Sequence, residues 1–159
     1  MAKVKRSQFQ TFLLTDTGPD VWSLIGDGVT TGTVAYNPET SSETNIHEDN
    51  ATVSVEKYAP TLPISQVCKN GDAVFEFIDN LRRTRATLDD AETYILMVYM
   101  YETPTSTDKY PAEKQAVSIQ IDDFGGDGGV ANKIGYTINF VGDPTLGTYD
   151  VSDGAFTAS

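Results

Sequence analysis

Short β-prone runs separated by polar turns recur along the chain and dominate its hydrophobic pattern. "SQFQTFLLT" reads as a first strand, and "TGTVAYN" as another, halted by Pro38. "TNIHE" and "ATVSVEKY" alternate apolar and polar positions on either side of Asp49-Asn50, as the arms of a half-buried hairpin do. "LPISQVC" lies beside Pro60 and Pro63, whose missing amide donors favour a sheet edge. "TYILMVYMYE" is apolar from Tyr94 to Tyr101, which demands cover on both faces, from a second sheet or another subunit. In "AVSIQID", Val117, Ile119 and Ile121 share one face and Ser118, Gln120 and Asp122 the other. "KIGYTINFV" repeats the pattern with Ile134, Tyr136, Ile138 and Phe140, and "GTYDVSDGAF" closes the chain as a short strand with turns.

One segment breaks the period. Within "NGDAVFEFIDNLRRTRA", Val74, Phe77, Ile78 and Leu81 recur at helical spacing, predicting a helix over roughly Asp72 to Arg85 with these four facing a sheet. Asn70 or Asp72 can cap its start. Acids lie toward its amino end and Arg82, Arg83 and Arg85 at its carboxyl end, the order the helix dipole favours. These elements predict a mainly β fold: an antiparallel β-sandwich or partial barrel with one flanking α-helix and long hairpins. With no repeats and no linker, the 159 residues suit a single domain spanning 1–159. "NPETSSETN" and "ETPTSTDKYPAEK" carry too little apolar area to offset the entropy of ordering, and read as hairpin ends or mobile loops.

Charge narrows the function. A net charge of −12 argues against gripping a nucleic-acid backbone. No basic residue occurs between Arg6 and Lys57, a span holding eight acids, and after Lys133 come only Asp143, Asp150 and Asp153. This is either a solvated acidic surface or a face that must not bind something negative. The single Cys68 excludes an internal disulfide. No run is apolar and long enough to span a membrane, and the start of the chain lacks a signal peptide's pattern, so no membrane anchor is expected.

Tests for chemistry return little. "WSLIGDGVTTGTVAYNPE" carries Gly26, Gly28 and Gly32, but lacks the lysine and following helix of a phosphate loop and the βαβ unit of a dinucleotide site. It reads as a turn. In "DDFGGDGG", Asp122, Asp123 and Asp127 offer oxygen ligands for calcium, without the EF-hand order of acids. His47 and Cys68, alone of their kinds, could form a nucleophile pair. No Gly-x-Ser-x-Gly elbow occurs and nothing selects a carboxylate pair, so no catalytic, cofactor or metal site is assigned. A carbohydrate- or calcium-binding β-sandwich module, and a small hydrolase using some of the acids, stay open as alternatives.

Taken together, "WSLIGDGVTTGTVAYNPET", "NIHED", "EKYAP" and "GDPTLGTYDVSDGAF" resemble the tail tube (major tail) proteins of long-tailed bacteriophages, over about Phe9 to Phe156. The resemblance implies a non-enzymatic virion protein, assembled in the bacterial host cytoplasm. Its first partner would be itself, in hexameric rings stacked head to tail. Tape measure, tail tip and tail terminator proteins would be further partners, and DNA would pass through the channel without specific binding. Unpaired hairpin edges are templates for neighbours, and an acidic channel would repel phosphates. The resemblance implies that two hairpins per subunit would line the lumen. Strict alternation assigns Glu43, Asn45, His47, Thr52, Ser54 and Glu56 to the lumenal face of the first, with Ile46, Val53 and Val55 toward the sandwich core. Ser118, Gln120 and Asp122 are the equivalent face of the second. Asn37 to Asn50 and Thr103 to Lys114 are expected to order only between subunits.

Overall fold

A computed structural model describes residues 1–159. Nine strands and one α-helix follow in the order β1 (Phe9–Asp16), β2 (Val21–Leu24), β3 (Glu39–Glu43), β4 (Thr52–Lys57), β5 (Thr61–Val67), α1 (Ala73–Thr84), β6 (Glu92–Tyr99), β7 (Lys109–Gly125), β8 (Lys133–Asp150) and β9 (Ala155–Ala158). A seven-stranded antiparallel sheet runs β2-β1-β6-β7-β8-β5, with β9 added to β8, while β3 and β4 form a separate ribbon. The protein is mainly β with one helix and a nearly closed sheet, as its pattern predicts.

One long hairpin organises the sheet. β7 and β8 pair from Lys109–Asp150 to Gly125–Lys133, which fuses several runs that looked separate in sequence. Lys109 to Lys114, expected as part of a mobile loop, is paired strand instead, with Ala112 to Lys114 bonded to both β6 and β8. Alternation hidden in "KYPAEK" explains the correction, because Ala112 is buried and Tyr110 half-buried in a core of their own. β5 and β9 divide the outer edge of β8 between them. Where they part, Gly142, Asp143 and Pro144 bulge opposite Gln115, whose Nε2 donates to the Gly142 carbonyl at 2.8 Å.

Beyond this bulge the sheet curls over. In a flat sheet β1 and β8 would lie roughly 14 Å apart, three strand spacings. Yet the rings of Phe12 and Tyr149 are 4.7 Å apart. Trp22 of β2 and Phe156 of β9 pack on the same cluster, Phe12, Leu96, Val98, Ala112 and Tyr149, so the two ends of the sheet approach each other.

The helix closes the other face. Asp72 caps it, its carboxylate accepting from the Val74 amide at 3.1 Å. Val74, Ile78 and Leu81 are buried and Phe77 packs half-buried beside them, with Phe75 buried as well. Ile95 of β6 belongs to this helix-side core, while Leu96 and Val98 belong to the curled one. That double cover is what the unbroken apolar run in β6 requires. A buried polar chain crosses the helix side: Tyr136 Oη donates to Gln66 Oε1 at 2.9 Å, and Gln66 Nε2 to Asp72 Oδ2 at 2.8 Å. Burial pushes the Tyr136 hydroxyl well above its ordinary pKa and keeps it a donor.

The glycine-rich stretch after β2 is a turn, but the strand expected at "TGTVAYN" does not form. Gly28, at φ +80°, presses its backbone on Val67, where a side chain would collide. The Val67 amide donates to the Gly28 carbonyl at 3.0 Å. "TGTVAYN" makes only an isolated bridge, Ala35 with Thr61. β5 pairs with β8 on one side and offers the amides of Thr61 and Val67 on the other. Pro63 sits between these two with no amide, so a ladder along this edge is interrupted.

Candidate assembly surface

The β3–β4 ribbon stands apart from the sheet. Glu43 lies opposite Thr52 and Ser41 opposite Ser54, and the Ser41 hydroxyl donates to the Glu56 carboxylate. Glu43, Thr52, Ser54 and Glu56 therefore share one face with Ser41, and Val53 and Val55 share the other with Thr40 and Ser42. Strand alternation predicts these faces correctly, but fails for Asn45 and His47. "TNIHE" is no strand: the Glu48 amide donates to the Asn45 carbonyl, Asn45 Nδ2 donates to Glu48 Oε1 at 3.0 Å, and His47 Nε2 lies 3.5 Å from the same carboxylate. These bonds fold the tip into a turn, a conformation asparagine readily supports.

The apolar face of the ribbon does not meet the core. Val53 is 65 % exposed, Val55 53 % and Ile46 fully so. The ribbon joins the body only at its root, which is why no core reaches it. There the Ala59 amide donates to the Tyr36 carbonyl at 3.1 Å. Asn37, at φ +46°, donates from Nδ2 to the Ala59 carbonyl at 3.0 Å and to Thr61 Oγ1 at 3.3 Å.

The second predicted set lies on the sheet itself. Ser118, Gln120 and Asp122 alternate with buried Val117 and Ile119 and point away from the helix. Gln120 Nε2 donates to Asp122 Oδ1 at 2.6 Å, Thr137 Oγ1 to Asp122 Oδ2 at 2.7 Å, and Asn139 Nδ2 to Gln120 Oε1 at 3.4 Å. Asn139 pairs with Thr61, the partner of Asn37. A strip of polar side chains thus runs from Asp122 to the root of the ribbon and connects the two predicted sets.

A feature the sequence reading missed lies at the same root. Tyr36 and Tyr58 meet edge to face at 6.3 Å, and Tyr99 and Tyr101 at 5.9 Å. With Met97, Phe140, Leu146 and Pro111 they line a groove on the helix side of the sheet, rimmed by Glu102, Glu113 and Asp143. Burial and the neighbouring Glu113 push the Tyr99 hydroxyl far up, so it stays neutral. The signal was present, since "AY" and "YA" bracket the polar ribbon symmetrically.

No three His, Cys, Asp or Glu side chains converge as metal ligands. His47 is at the ribbon tip, while Cys68 packs against the helix-side core, where burial raises its thiol pKa and disfavours the thiolate. Arg82 and Arg83 both hold Asp79, at 2.7 and 2.9 Å, and Arg82 covers the Phe124 ring at 3.8 Å. No helix is long and apolar enough to cross a membrane.

No protein-family model and no curated protein matches the chain. Solved structures do. A chain in the tail of an empty GTA particle, determined by helical refinement with C6 symmetry, is 14 % identical over 98 % of this chain and 100 % of its own, with a TM-score of 0.58. A chain of the anti-feeding prophage (AFP) baseplate, 6-fold symmetrised, is 12 % identical over 92 % of this chain and 97 % of its own, with a TM-score of 0.48. The GTA likeness is one of fold, end to end.

Proposed function

We propose that this chain is a structural protein of a phage-type tail. Six copies close into a ring, and rings stack head to tail into the tube through which DNA is delivered. The observation that carries this reading is the β3–β4 ribbon, a two-stranded element whose apolar face has no cover inside its own chain. A lone ribbon is marginal in water, so its cover must come from outside. A head-to-tail contact that closes under rotation makes a ring, and one that does not makes a filament; a tube needs both. The end-to-end fold likeness to a chain in a C6-symmetric tail supports the same reading. In it, Glu43, Thr52, Ser54, Glu56, Ser118, Gln120 and Asp122 line the lumen, and their carboxylates keep DNA phosphates from sticking. Asn45 and His47 belong to the ribbon tip. Tape measure, tip and terminator proteins are the expected neighbours at the tube ends, and the assembled particle is the expected location.

Electron microscopy of the concentrated protein tests this. Rings with sixfold symmetry, or tubes built of them, are the expected result. A protein that stays monomeric at every concentration and ionic strength would overturn it.

A further inference from the structure

The tyrosine groove at the ribbon root suits a cation, yet none of its four tyrosine rings carries one. Elsewhere the chain matches rings with cations: Arg6 lies 5.2 Å from the Phe9 centroid, Arg82 3.8 Å from that of Phe124, and Lys114 4.6 Å from that of Tyr94. None of Tyr36, Tyr58, Tyr99 and Tyr101 has such a partner among these pairs. The groove rim adds Glu102, Glu113 and Asp143, while its one lysine, Lys57, already pairs with Glu39 at 3.3 Å. The groove is thus aromatic with an acidic rim, and its one cation, Lys57, is paired with Glu39.

The same chain carries cations with no partner. Met1 to Lys5 are exposed, and neither Lys3 nor Lys5 has a carboxylate within salt-bridge distance or a ring beneath it. Arg6 anchors this arm through the carbonyls of Phe9 and Gly32, beside a different cleft lined by Ser7, Leu24 and Gly32. The ring of Phe9 stacks on Tyr99 at 5.7 Å, so the arm starts beside one end of its own groove, yet none of Met1 to Arg6 lines it.

We propose that the groove receives the basic arm of a second copy, with Lys3 and Lys5 set over the tyrosine rings and against Glu102 and Glu113. The argument is complementarity of charge and chemistry. Ammonium groups over ring faces gain cation–π attraction, strengthened where water is partly excluded. The carboxylate rim adds charge-assisted hydrogen bonds and fixes direction. The contact is heterologous, arm to groove, so it propagates from copy to copy. It rests on the ring-and-tube reading for its setting.

The test uses full-length chains in a Cys68→Ala background. One variant adds Lys3→Cys and another Glu102→Cys; the two are mixed under assembly conditions and oxidised gently. A disulfide-linked dimer formed from the mixture, and from neither variant alone, is the expected result. In a second arm, Lys3→Glu/Lys5→Glu should weaken association by about tenfold or more, the scale of roughly 1.4 kcal/mol per decade. Adding Glu102→Lys/Glu113→Lys to the same chain should restore it. Rings or tubes that form without the mixed disulfide would overturn the arm contact and leave the tube reading standing. An intrachain disulfide in a chain carrying both cysteines, with no dimer, would overturn it in favour of docking within one copy. Failure of the unmodified chain to assemble would count against both readings.

Discussion

The molecule contains two hairpins that look alike in sequence and differ in what holds them. β7, β8 and β4 all alternate apolar with polar positions, while β3 is polar throughout. In the first, Val117, Ile134, Tyr136 and Ile138 are fully buried under the helix. In the second, every strand residue is exposed. Alternation states which side chains share a face, and does so for the paired strand residues of both but not for the Asn45–His47 tip. It does not state whether anything covers that face. In β7–β8 the cover is intramolecular, and in β3–β4 the chain itself supplies none.

Stability should separate the two hairpins most sharply. Ile78→Ala, beneath the β7–β8 face, should cost about 2–5 kcal/mol, because Ile78 is fully buried in the helix-side core and its loss leaves a cavity. Val53→Ala should change monomer stability by no more than about 0.5 kcal/mol. Urea unfolding of both variants measures this, and equal costs would break the contrast.

A smaller loss is expected from the buried polar chain. Gln66→Leu leaves the Tyr136 hydroxyl without an acceptor and removes a donor to the Asp72 cap. About 1–3 kcal/mol should follow, the usual cost of an unsatisfied buried group. Tyr136→Phe in the same chain should recover part of it, and a fully additive double variant would show that the two groups do not act together.

The polar faces sharpen the comparison at the level of function. Glu43→Lys/Glu56→Lys changes two exposed residues and gives up only the exposed Ser41–Glu56 bond, so folding and assembly should persist while DNA passage slows. Asp122 is better left alone, since it accepts from Gln120 and Thr137. Assembled particles carrying both lysines and ejecting DNA at the normal rate would remove these residues from the channel.

The smallest effect concerns the β8–β9 turn. Hydrogen bonds from the Ser152 hydroxyl and amide, at 2.6 and 2.9 Å, hold the Asp150 carboxyl below its ordinary 3.8. Because the folded pKa is the lower one, this contribution is complete above pH 3.8 and disappears as pH falls through the folded value. Wild type and Asp150→Asn should therefore differ slightly in Tm at neutral pH and converge in acid. A difference that grows on acidification would contradict the sign.

Much of the fold was legible because core periodicity is local. The stripe Val74, Phe77, Ile78, Leu81 marks the helix, and the unbroken run Ile95 to Val98 marks a strand covered on both sides. What was not legible depends on distant partners. Lys109 to Lys114 reads as polar loop until the curled sheet brings Tyr149 over Ala112's cluster. "TGTVAYN" has strand composition, but its neighbour presents Pro63 where a donor is needed. The turn at Asn45 to Glu48 is set by side-chain bonds that period-2 reasoning does not count. Of the candidate site, the faces were legible and the tyrosine groove was not, since four residues far apart in sequence make it.

The central claim is that the β3–β4 ribbon is an intermolecular element awaiting its cover. Hydrogen exchange at the amides of Glu39–Glu43 and Thr52–Lys57, compared between dilute monomer and assembled protein, tests it most directly. The account predicts fast exchange in the monomer, since these bonds are solvent-exposed and backed by no core. It predicts strong protection after assembly, while β7 and β8 are protected in both states. Equal protection of the ribbon in both states, whether high or low, would contradict it.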